Sequence, residues 1–117
     1  MTPLDCIVDA IMQQMPYHAE KTIAENSGSG ARLRIDWRLD NDAEMPNKRS
    51  KAIIIHIPEE FLEDFPNHPP RDQQIALEKT KRFVAQKLEE FQPDHQRTVY
   101  DTQPSEEWII PTNLIFG

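Results

Sequence analysis

The sequence predicts an α+β domain: an antiparallel sheet of three or four strands with two main helices packed on one face, in the order α-(β)-β-β-α-α-β. Three observations carry this expectation. Ala31-Arg32-Leu33-Arg34-Ile35-Asp36-Trp37-Arg38-Leu39-Asp40 alternates apolar and charged residues without a break, the period-two pattern of a strand with one buried and one wet face. Ala76, Leu77, Thr80, Phe83, Val84, Leu88 and Phe91 recur at helical spacing, and so do Leu4, Ile7, Val8, Ile11, Met12 and Met15. Helical stripes on both sides of an alternating strand require helices covering a sheet.

The elements follow in chain order. Residues 3–15 read as a helix, with Thr2 as N-cap, Pro3 at the first helical position and Asp5 in the first turn. Pro16 disfavours a helical Met15, so the helix stops or bends there. Residues 17–25 fit two patterns. Tyr17, Ala19, Lys21 and Ile23 alternate as a strand would, the reading preferred here, while Ala19, Ile23 and Ala24 also suit a short helix. Asn26-Ser27-Gly28-Ser29-Gly30 is a turn holding two of the three glycines. The strand at 31–40 comes next, then a polar loop to Asn47.

Residues 48–57 form a second strand centred on Ile53, Ile54 and Ile55. Ile53, Ile55 and Ile57 are expected to face the core, leaving Ile54 and His56 on the outer face with the arginines. Pro58-Glu59-Glu60 opens a short helix over 58–65, and Pro66-Asn67-His68-Pro69-Pro70 ends it. Residues 71–91 are the long helix. Residues 92–107 read as a loop, an unusual length for a compact domain. Residues 108–116 read as a last strand, where Pro111 indicates an edge or a bulge. Leu33, Ile35, Trp37, Ile53, Ile55, Phe83, Val84 and Leu88 are the expected core, and Trp37 and Trp108 fall on core-phase positions.

The 117 residues carry 13 Lys and Arg against 20 Asp and Glu, a net charge of −7. One domain spanning 1–117 is expected, large enough for a core without staples. The charge is uneven. Residues 31–51 hold six Lys and Arg against four Asp and Glu, a net of +2, so the remainder carries −9. A mildly basic hairpin therefore sits in a protein that repels anions at long range. Cys6 lies alone within an apolar stripe, which fits a small buried hydrophobe in a reducing compartment. No apolar run long enough to span a membrane exists, and residues 1–5 lack a basic leader, so a cytoplasmic location is expected.

Residues that could carry chemistry are sparse. His18, His56, His68 and His95 share no metal-ligand spacing. No Ser-His-Asp arrangement, nucleophile elbow or glycine-rich phosphate loop is legible. The acidic pairs Glu59-Glu60, Glu63-Asp64, Glu89-Glu90 and Glu106-Glu107 sit at helix starts, on solvent faces or beside a turn; only Glu89-Glu90, near a helix C-terminus, conflicts with the helix dipole, a weaker pointer to a basic partner than to a solvated face. Neither catalysis nor a metal or organic cofactor is expected.

Without residues 17–25 as a strand, the order helix-strand-strand-helix-helix-strand resembles one variant of the KH RNA-binding fold. In that fold a Gly-x-x-Gly loop between the central helices clamps the nucleic-acid backbone. Here the position holds Pro66-Asn67-His68-Pro69-Pro70, so the resemblance stops at topology. The acidic, helix-first α+β order is also similar to some small bacterial secretion chaperones, which are dimeric. That similarity covers composition and element order alone.

The leading functional expectation is a non-enzymatic protein-interaction or regulatory module that self-associates as a homodimer. The alternatives are a monomer in which the 92–107 loop folds over the outer side of the sheet, and a nucleic-acid-binding domain using the basic 31–51 hairpin, which the net charge disfavours. The candidate interaction face is Arg32, Arg34, Arg38, Ile54, His56, Ile109 and Ile115. A charged outer face also keeps any one-sided sheet soluble and discourages edge pairing.

Overall fold

The computed structural model describes residues 2–26, 30–37, 52–91, 105–112 and 115. Its first helix, α1 (Pro3–Met12), starts at a capping box. Thr2 Oγ1 accepts from the Asp5 backbone N–H, and Asp5 Oδ2 accepts from that of Thr2, both at 3.1 Å. Two otherwise orphaned donors are thereby satisfied. The helix ends at Met12, three residues short of the expected Met15. The chain tightens there: the N–H groups of Gln14 and Met15 donate to carbonyls three residues back. Leu4, Ile7, Val8 and Ile11 are buried along one stripe.

Strand β1 (Glu20–Asn26) settles the ambiguous segment as a strand. It pairs antiparallel with β2 (Gly30–Asp36), which pairs antiparallel with β3 (Ala52–Ile57). With β1 present, the helix-strand-strand-helix-helix-strand order does not hold. The short helix α2 (Glu59–Asp64), a 3₁₀ turn at Phe65–Asn67 and the long helix α3 (Pro70–Glu90) follow. Strand β4 (Ser105–Ile109) then pairs parallel with β3.

The sheet is therefore mixed, in the spatial order β1-β2-β3-β4, and not wholly antiparallel as the sequence predicted. The cause is topological. Parallel neighbours need a long crossover, and α2 and α3 supply one between β3 and β4. The last strand also lies earlier than expected. Pairing begins at Ser105 and ends before Pro111, which has no N–H for a ladder. The expected loop over 92–107 thus loses its last three residues to β4. The rest of that loop, and the predicted strand residues 38–40 and 48–51, lie outside the described residues.

Helices cover one face of the sheet. Leu33 and Ile35 from β2, Ile53, Ile55 and Ile57 from β3, and Trp108 beside them join Ile7, Ile11, Phe61 and Val84 from the helices in one buried cluster. α1 lies against α3. α3 turns Ala76, Thr80 and Val84 fully inward, while Phe83 and Leu88, expected in the core, are only partly buried beside it. Spacing of four holds one narrow line of a helix inward, and the bulkier neighbours flank it.

Aromatic rings close one end of the core. Phe91, directly after α3, meets Trp37 edge-on with centroids 5.7 Å apart, and Trp108 edge-on at 6.2 Å. Both tryptophans are core residues, as the alternation implied. β1 differs from the other strands. Residues 20–25 are all exposed, so it projects beyond the helical layer as an edge.

Candidate functional site

Alternation and register together build the open face of the sheet. Arg32 and Arg34 on β2 point away from the helices because Leu33 and Ile35 point toward them. Ile54 and His56 do the same on β3, between Ile53, Ile55 and Ile57. On β4 the outward positions are Glu107 and Ile109, with Trp108 inward.

Pairing lines these residues into two rows across the strands. One row runs Ala24, Arg32, His56, Ile109 and the next runs Thr22, Arg34, Ile54, Glu107. Ile109 is 65% exposed, the most exposed isoleucine among the described residues. A third outward residue of β3, Ala52, is 4% exposed, so the open region is these two rows.

The electrostatics divide the face. β2 contributes two guanidinium groups. Arg32 has no ion-pair partner among the described residues, and Arg34 Nη2 lies 3.7 Å from Asp36 Oδ2, too long for a hydrogen bond. β4 contributes the Glu107 carboxylate. Its Oε1 meets His56 Nε2 at 3.0 Å. From β2 to β4 the face therefore runs positive, apolar with histidine, then negative with an apolar tip.

Of the expected face residues, Arg32, Arg34, Ile54, His56 and Ile109 come together. Arg38 lies outside the described residues. Ile115 does not belong to the face: it is 5% exposed within the core, and its carbonyl accepts from Lys79 Nζ at 3.3 Å. The chain turns after Pro111, where the Ile115 N–H donates to the Pro111 carbonyl, so the strand phase assumed for 108–116 breaks.

The sequence places Glu107 among loop acids, whereas the structure sets it on the outer side of β4. The signal was present in the Trp108-Ile109-Ile110 run, whose first and third residues alternate inward. Extending that phase back two residues would have set Glu107 outward.

Elsewhere a shallow hollow of about 560 Å³ lies along α3, lined by Arg71, Gln74, Ile75, Glu78, Lys79 and Arg82. These residues all belong to one helix, so no second element forms an opposing wall among the described residues. No group of three or more His, Cys, Asp or Glu among the described residues could hold a metal ion. No described helix is long and apolar enough to cross a membrane. In comparisons with known protein families, curated proteins and solved structures, nothing matches this chain.

Proposed function

We propose that this protein is a non-enzymatic interaction module that self-associates through the open face of its sheet. The observation that supports this reading is Ile109, 65% exposed on an ordered strand and flanked in register by His56, with Ile54 in the next row. Exposed apolar side chains gain free energy when a second surface covers them, and Ile109 is exposed while Ile54 is half-buried. Charges of both signs around them give such a surface specificity. A second copy is the natural partner, because cyclic dimers are the commonest assemblies of soluble chains.

The two open rows span four strands spaced about 4.8 Å apart, a footprint on the order of 300 Å² per copy. That is well under the ~800 Å² per partner of a standard interface, so the dimer is expected to be weak and reversible.

Light scattering of the parent and of Ile109→Asp tests the proposal. The parent should shift from monomer toward dimer over about a hundredfold rise in concentration, and the variant should stay monomeric. The circular-dichroism spectrum of the variant should match the parent, since Ile109 is 65% exposed. A parent that stays monomeric throughout would overturn the reading. Labelled DNA and RNA provide the other arm. Nanomolar, steeply salt-dependent binding that is lost in Arg32→Glu would replace self-association with nucleic-acid recognition.

A further inference from the structure

We propose that the two copies stack open face on open face with the two-fold axis running along β3, so that Arg34 of each copy meets the partner's Glu107. This rests on the self-association proposed above and specifies its geometry.

Register and charge select the axis. Arg34, Ile54 and Glu107 form one row, with Ile54 on the central strand of the three. Rotation by half a turn about an axis along β3 exchanges the flanks and keeps each row at its own height. β2 of one copy then lies over β4 of the other. Arg34 faces the partner's Glu107, twice by symmetry, and Ile54 faces the partner's Ile54. In the adjoining row Arg32 lies over the partner's Ile109, where its aliphatic stem can cover the exposed side chain.

The other face-to-face two-fold runs across the strands. It lays β2 over β2, and the guanidinium groups of Arg32 and Arg34 from both copies converge. Like charges brought together in a drying interface oppose that arrangement. A two-fold perpendicular to the sheet would join edges and leave the face open.

Both charged groups have capacity for the contact. Arg34 is 55% exposed and its approach to Asp36 is too long to hold its donors. Glu107 is 60% exposed and uses Oε1 toward His56, leaving Oε2 with no partner among the described residues. Sheets packed face to face lie about 10 Å apart, with strand directions within about 30°. An arginine and a glutamate reaching from opposite sides span that gap.

Charge exchange between chains is the test, read by light scattering and by circular dichroism as a check of folding. Arg34→Glu alone sets Glu against Glu107 at both contacts, and Glu107→Arg alone sets Arg against Arg34. Each variant should associate at least about tenfold more weakly than the parent, corresponding to about 1.4 kcal/mol. An equimolar mixture of the two should recover association, because each chain then offers the charge the other lacks. The double variant Arg34→Glu/Glu107→Arg should also recover it within one chain. A dimeric parent whose single variants are unaffected, or two folded single variants that fail to rescue each other, would overturn the axis and leave self-association standing. A parent that never associates would overturn both.

Discussion

Gly30 has no room for a side chain. Its φ is +89°, and a Cβ there would lie 2.1 Å from the Ile57 carbonyl oxygen and 2.8 Å from the Glu59 nitrogen. Gly30→Ala should cost about 1–3 kcal/mol in backbone strain alone, with displacement of the β3–α2 junction added. A urea melt reads this as a lower midpoint. The Gly30 N–H also donates to Glu59 Oε2 at 3.0 Å, tying the start of β2 to the start of α2. In the sequence Gly30 is simply the end of a turn. The reason it must be glycine lies in a segment far along the chain, which no local pattern reveals.

Asp5 makes a second prediction at this scale. Hydrogen bonds from the Thr2 backbone and side chain hold its carboxyl below the ordinary value of 3.8. A depressed folded value stabilises the native state above the unfolded value, and that contribution disappears as pH falls through the folded one. Asp5→Asn should therefore flatten the acid limb of stability below about pH 4, measured by urea melts across pH. Here sequence and structure agree, because capping is local chemistry.

Single elements were legible where their pattern is local and dense. The alternation over 31–40 placed Leu33, Ile35 and Trp37 inward and Arg32 and Arg34 outward, and the register agrees. β4 was displaced because its outward acid looks like loop composition, and because Pro111 ends the strand where the sequence carried it on. The parallel pairing of β3 and β4 depends on which side of β3 the returning chain reaches, which is a tertiary fact. α3 lies where the spacing predicts, but its fully buried line is narrower, Ala76, Thr80 and Val84. Thr80, 0% exposed, donates its hydroxyl to the Ala76 carbonyl at 2.8 Å. That carbonyl is already an acceptor in the helix ladder, so Thr80→Val should change stability by less than about 1 kcal/mol. Ile55→Ala, at the fully buried centre of β3, should cost roughly 2–5 kcal/mol. Thermal or urea unfolding of both variants distinguishes the two sites. A costly Thr80→Val would show the hydroxyl to be structural.

At the scale of the whole molecule, the described helices cover one face of the sheet, and among the described residues no helix packs on the other. The candidate face was partly legible: five of its residues followed from strand phase. Glu107 did not, because it depends on where β4 begins, and neither did the departure of Ile115 into the core, which depends on where β4 stops. The exposed isoleucines supply internal controls. Ile23, 39% exposed on β1, pairs with Leu33 and so belongs to the helix-facing side; Ile75, 44% exposed, lies on α3; Ile109 lies on the open face with Ile54. Isoleucine methyl resonances of the unmodified protein, followed by NMR over a rising concentration series, report on all four at once. Shifts confined to Ile54 and Ile109, with Ile23 and Ile75 unmoved, are the expected result. Shifts centred on Ile23 or Ile75, or none at any concentration, would contradict self-association through the open face of the sheet.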